Sequence, residues 1–138
     1  MSEVASLSLS KELFKLTEWE DTPEFYAPID NNISWHLFSY KEEHYYTTEG
    51  KYKLEELKNR IPAYSLGYLI RKLPPYIPTY GEDGEDCLFH LQPHFDGKEW
   101  TAGYVKQDRY LYMDIADTPE NACIKLLLLL IKEKEIEV

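Results

Sequence analysis

Basic charge is scarce in this chain of 138 residues: 15 Lys and Arg stand against 25 Asp and Glu, a formal charge of −10. Holding duplex nucleic acid needs a basic face that releases counterions from the phosphates, so direct duplex binding is not expected. Cysteine is scarcer still. Cys87 and Cys123 are too few for a disulfide framework, and a reduced, cytoplasmic setting is the better expectation. The opening MSEVASLSLSKELF has no basic stretch followed by an apolar one, so no secretory signal is expected. The longest apolar run, residues 126–131, falls far short of the roughly 20 residues that cross a bilayer, so no membrane partner is expected.

Chemical motifs are missing too. There is no repeat, no low-complexity tract, no G-x-S-x-G, no phosphate loop and no dinucleotide fingerprint. His90 and His94 lie four apart, which joins two ligands on a helix but leaves them about 13 Å apart on a strand. His36, His44 and the two cysteines add no zinc-site spacing. No catalytic residue, metal or cofactor is assigned on these grounds, and the chain is expected not to be an enzyme.

What is present is material for a core: 43% hydrophobic and 14% aromatic residues. Residues 1–138 are therefore expected to form a single domain. The charge is patterned, with acidic blocks at 1–49 and 81–138 around a mildly basic middle at 50–80 that carries Lys51, Lys53, Lys58, Arg60, Arg71 and Lys72. Residues 74–86, PPYIPTYGEDGED, read as a flexible acidic loop. Ser8 or Ser10 predicts the cap of a helix with Leu9, Leu13 and Leu16 on one stripe, ending before Pro23. Alternation through Ile33, Trp35 and Leu37 predicts a strand. Leu54, Leu57 and Ile61 predict a short helix ending at Pro62. Ser65 then caps another helix, with Leu66, Leu69, Ile70 and Leu73 in its stripe, Arg71 and Lys72 in its last turn, and Pro74-Pro75 as its stop.

Asp96-Gly97 is a strong signal for a two-residue type I′ hairpin. The register it sets pairs Pro93 with Trp100, Leu91 with Ala102 and Phe89 with Tyr104. A second turn at Gln107-Asp108 then places Leu111, Met113 and Ile115 opposite Tyr104, Ala102 and Trp100, giving three strands one apolar face. Pro93 suits an edge, since it cannot donate to a ladder. The last helix starts at Asp117 or Thr118 with Pro119 in its first turn, and Glu120 is placed for a capping box with Asp117. Its middle is apolar on nearly all sides, so it needs cover from the sheet and from either the helices at 53–73 or a second copy of the chain. The fold class that results is α+β: an antiparallel meander of three to five strands packed on one face by the C-terminal helix and shorter helices.

On the other face of that meander the same register gathers His90, Gln92, Thr101, Tyr112 and Asp114, with Tyr112 covering the bare backbone of Gly103. This is either a solvated sheet face or a polar surface for a ligand or partner. Tyr76 and Tyr80 flank the acidic loop, in which Glu82 and Asp83 lie. Twelve tyrosines is a high number for this length, and tyrosine is enriched where a surface must be apolar and wet at once. The loop lacks the ligand spacing of an EF-hand.

The segment Pro62-Ala63-Tyr64-Ser65-Leu66-Gly67-Tyr68-Leu69-Ile70-Arg71-Lys72-Leu73-Pro74, the hairpin Asp96-Gly97-Lys98-Glu99-Trp100, and Ala116-Asp117-Thr118-Pro119-Glu120-Asn121-Ala122 running into Lys125-Leu126-Leu127 together resemble a group of small uncharacterised proteins. Those proteins are encoded by phages, prophages and mobile elements of gut bacteria. The likeness covers the C-terminal half and brings no catalytic residues. It implies a setting in the cytoplasm of a bacterial host cell. The leading expectation is a non-enzymatic accessory protein that binds another protein, in one form an acidic antagonist of a DNA-binding host factor. The alternatives are a small-ligand-binding protein or minor enzyme using the polar sheet face, and a structural homodimer formed through the helix at 118–134.

Overall fold

The computed structural model describes residues 3–29, 34–42, 44–47, 50–78, 86–94, 96–107 and 109–138. Ile33 and Asp108, named above, lie outside the described residues. The chain divides into two compact units, Ser6–Tyr64 and Met1–Ala5 with Ser65–Val138. The boundary falls at Tyr64, ahead of the 74–86 stretch.

In the first unit, α1 (Leu7–Thr17) is capped by Ser6, whose side chain accepts from the Leu9 amide. Ser8 and Ser10 therefore lie inside the helix, and the buried stripe is Ser10 with Leu13, while Leu16 is exposed. Left-handed Glu18 ends the helix, its amide donating to the Phe14 carbonyl. The strand expected around Trp35 and Leu37 is β2 (Ser34–Ser39), paired antiparallel with β1 (Glu24–Ile29). The buried face belongs to the other parity, because Phe38 sits opposite Phe25 and His36 opposite Ala27. Phe25, Ala27, Ile29, Phe38, Tyr45 and Leu57 form this unit's core. A short hairpin follows, β3 (Tyr45–Thr47) with β4 (Gly50–Tyr52). It splits the tyrosine pair, since Tyr45 is buried and Tyr46 is exposed. The helix expected over 54–61 is only a 3-10 turn, Leu54–Glu56, and residues Ile61–Ala63 form β5 on the free side of β1. Pro62 is tolerated there because β5 is an edge strand.

The second unit holds α2 (Leu66–Lys72), capped by Ser65 as expected. Its buried residues are Tyr68 and Leu69, with Leu73 just past its end, and Ile70 turns outward. Within the 74–86 stretch, Tyr76–Ile77 forms β6, so that part is not a loop. The four-stranded antiparallel sheet runs in the order β6-β7-β8-β9, with β7 at Cys87–Pro93, β8 at Trp100–Lys106 and β9 at Arg109–Ala116. Among the described residues, β6 pairs with Cys87 and Leu88 and no strand pairs with Pro93 on that side.

Chain reversal between β7 and β8 runs through a turn closed by the Gly97 amide on the His94 carbonyl (2.9 Å), one step earlier than a two-residue I′ turn would close. Gly97 supplies the positive φ of 71°, and Asp96 Oδ1 accepts from the amides of Lys98 and Glu99. The β7–β8 register is nonetheless the expected one. The β8–β9 register is not. It begins with Lys106 opposite Arg109, then shifts by one residue at a bulge between Tyr104 and Val105, so Tyr112 faces Tyr104, Asp114 faces Ala102 and Ala116 faces Trp100. Leu111 and Met113 are consequently exposed instead of buried.

Helix α3 (Pro119–Lys132) is capped by Thr118, which accepts from the Asn121 amide, with Pro119 at the first position. The capping box with Asp117 does not form; Asp117 Oδ1 instead accepts from the Asn121 side-chain amide (3.0 Å). Ala122, Cys123, Ile124, Leu126, Leu127 and Leu130 are fully buried. Strands β7, β8 and β9 and helix α2 all pack against α3, so it has cover on more than one side within its own unit. Its apolar residues do not appear among the exposed large hydrophobics. Among the described residues, no helix is long and apolar enough to cross a membrane.

Candidate functional site

A pleated sheet sends alternate side chains to opposite faces, so a shift of one residue swaps the faces of everything beyond it. Beyond the bulge, β9 presents Tyr112, Asp114 and Ala116 to the side that carries Phe89, Leu91, Ala102 and Tyr104. On that side the Tyr112 hydroxyl donates to Glu135 Oε1 just past α3 (2.8 Å), and the Tyr104 hydroxyl donates to the Pro74 carbonyl (2.7 Å). Burial, helped by the Glu135 hydrogen bond and charge, pushes the Tyr112 phenol up to about 12. Asp114 Oδ1 accepts from the Ile115 amide.

The other side gathers His90, Gln92 and Thr101, and opposite them stand Gly103, Met113 and Ile115 rather than Tyr112 and Asp114. The expected five-residue polar surface is thus divided between two faces. Tyr110, not Tyr112, covers Gly103: a Cβ there would meet the Tyr110 ring at 2.7 Å and the Tyr112 carbonyl at 2.5 Å. The Tyr110 ring also meets His90 edge-on, with centroids 6.4 Å apart. Tyr76 pairs with Leu88 at the sheet's opposite end and shares this face. Tyr80, Glu82 and Asp83 lie outside the described residues.

What the slip builds is an apolar face. Leu88 is 61% exposed, Tyr76 48%, Leu111 47%, Met113 43% and Tyr110 36%. Scattered exposed apolar residues are ordinary, but a contiguous patch on one sheet face is a feature of interaction surfaces. His90 and Gln92 put polar groups within it.

Each unit also has a cleft. In the first unit a cleft of about 300 Å³ is lined by Phe14, Tyr40, Lys58 and Arg60, with Glu20 and Glu55 also on its wall. The Arg60 guanidinium lies 5.7 Å from the Phe25 and Tyr40 rings, which seats it as a cover on the aromatic cluster. In the second unit a cleft of about 520 Å³ opens at the start of α3, between Trp100, Glu3, Asp117 and Glu120. Glu120 is 4% exposed. Burial, with Glu120 adding to it, pushes the Cys123 thiol up to about 12, which makes it a poor nucleophile. Among the described residues, no group of three or more His, Cys, Asp or Glu is placed to hold a metal.

No family model, curated protein or solved structure matches the chain. The sequence pattern does not mark Leu88, Leu111 and Met113 as surface residues. The signal that bears on it is that residues 110–113 are apolar at both parities, so their pattern permits either register.

Proposed function

We propose that this chain is a non-enzymatic binding protein that docks another protein on the outward face of the β6–β9 sheet. The observation that carries the reading is the bulge at Tyr104/Val105, which turns Met113 outward to join Tyr76, Leu88 and Tyr110, with Leu111 exposed at the bulge itself. Aromatic and methionine side chains are the ones enriched in interface cores. The formal charge of −10 adds long-range attraction toward a basic partner, which speeds encounter more than it adds affinity. An accessory role for a phage or mobile element in a bacterial cytoplasm is in keeping with the resemblance of the C-terminal half.

A paired capture experiment tests it. The wild-type chain and a Leu88→Glu/Met113→Lys variant, whose two changes cancel in charge, are used as bait in bacterial lysate, with Glu133→Gln as a control away from the face. Proteins retained by wild type and control but lost with the double variant are the expected result. An identical set on all three baits removes the face from consideration.

A further inference from the structure

Folded chains leave few buried polar groups without a partner, so each one that persists asks for a reason. In the first unit the Tyr45 hydroxyl is such a group: the residue is 2% exposed and no hydrogen bond reaches its oxygen. Phenylalanine would fill the same space without that cost. Tyr45 lines a cleft of about 280 Å³ together with Phe38, Glu42, His44 and Tyr46. Burial pushes its phenol up, and among the charges around it Glu42 adds to the rise while Arg60 opposes it. The Glu42 carboxylate is thus within electrostatic reach of the hydroxyl but does not bond to it. A carboxylate only accepts, so a group that joins the two oxygens must be a donor. Tyr46 is 70% exposed, and its ring can turn aside to admit such a group.

Rings make up much of the remaining wall. Phe38 and Tyr45 meet at 85° with centroids 5.3 Å apart, and the His44 and Tyr46 rings lie 6.5 Å apart. Aromatic faces beside a carboxylate attract an organic cation. The same chemistry operates within this hairpin, where the Lys51 ammonium lies 5.8 Å from the Tyr46 ring. No Lys or Arg lines the cleft, so Glu42 is not neutralised there. We infer that the cleft between Phe38, Glu42, Tyr45 and Tyr46 takes the primary ammonium group of an amine, which donates to the Glu42 carboxylate and to the Tyr45 hydroxyl oxygen against the aromatic wall. The hydroxyl separates a primary ammonium from a quaternary one, since only the first has N–H groups to give it. The source is either a lysine side chain of a protein or a free small amine. All of these residues belong to the first unit, and none to the sheet face offered for docking.

Two measurements on the full chain test it. The first is a ¹⁵N NMR titration with n-butylammonium chloride, with tetramethylammonium chloride and with NaCl at matched ionic strength. Saturable movement of the Glu42, His44 and Tyr46 amides by butylammonium, and not by the other two salts, is the expected result. Tyr45→Phe weakens it by about tenfold, the effect of losing one hydrogen bond to a charged group. Glu42→Gln, at an exposed position, weakens it as well. The second measurement is urea denaturation without ligand, in which Tyr45→Phe keeps or raises the wild-type midpoint because it leaves no hydroxyl buried without a partner. A hydroxyl with a purely structural role would give a lower midpoint. An acetylated Gly-Lys-Gly amide that binds tighter than butylammonium identifies a protein lysine as the source; equal or weaker binding identifies a free amine. No saturable movement with butylammonium, movement matched by NaCl or tetramethylammonium, binding left unchanged by either substitution, or a lowered Tyr45→Phe midpoint overturns the inference.

Discussion

The two hairpins of one sheet differ in how firmly they are registered. β7 and β8 pair in step from Leu88↔Val105 to Pro93↔Trp100, whereas β8 and β9 start in step at their turn and slip by one residue at Tyr104/Val105. The cause lies in the side chains. In β7, a one-residue slip would turn His90 and Gln92 toward the side packed by α3, so the alternation resists it. In β9, Tyr110, Leu111, Tyr112 and Met113 supply apolar groups to both faces whichever way the strand is set. Burial then does not discriminate, and local contacts decide: Tyr110 packs over the bare backbone of Gly103, and Tyr112 reaches Glu135. A turn therefore fixes a register only as far as the pattern behind it penalises slipping.

A large effect should come from removing the site that accepts the slip. Gly103→Val places a side chain where the Tyr112 carbonyl lies 2.5 Å from a Cβ, and backbone cannot yield as a flexible side chain can. Overpacking of this kind is expected to cost about 3 kcal/mol in urea denaturation. A wild-type midpoint for this variant would mean that Tyr110 and β9 do not lie over Gly103.

Charge insertion sharpens the comparison directly. Ala102, fully buried opposite Asp114 and Leu91, should not accept Lys: Ala102→Lys is expected to leave the chain largely unfolded. Met113, the residue that an unshifted register would pair with Ala102, is 43% exposed, so Met113→Lys should change stability by no more than about 1 kcal/mol. Comparable losses at the two positions would restore the unshifted register and with it an inward Met113.

Much of the fold is legible in the residues for reasons that are local. Ser65 and Thr118 cap helices because their oxygens reach free amides two or three residues on, and Pro119 and Pro74 mark a start and a stop. The turn type at Asp96-Gly97 differs from the expected one, yet the register survives because the strands enforce it. What is not legible depends on tertiary contact. The cap expected at Ser8 or Ser10 forms at Ser6, because Ser10 is drawn into the buried stripe of the helix. Residues 54–61 carry helix spacing, but Ile61–Ala63 is recruited by the free edge of β1. The candidate surfaces fare similarly. His90, Gln92 and Thr101 share a face as read, while the bulge moves Tyr112 and Asp114 away.

The smallest effect, and the most specific to the slipped strand, is the titration of Tyr112. Its phenol is neutral when protonated, and burial together with Glu135 holds it up to about 12 against an ordinary value of 10.0. The folded state therefore keeps a proton that the unfolded chain gives up near pH 10, so the stability tied to this group is full below pH 10 and is lost as the pH rises toward 12. Tyrosine ¹³Cζ shifts, assigned with Tyr112→Phe, should show the Tyr112 ring among those titrating late, and Glu135→Gln should bring that ring alone back toward the ordinary range. Because the hydroxyl meets Glu135 only when Tyr112 stands opposite Tyr104, an ordinary titration for Tyr112 in the wild-type chain would place it on the outward face and return β9 to the register that its turn alone prescribes.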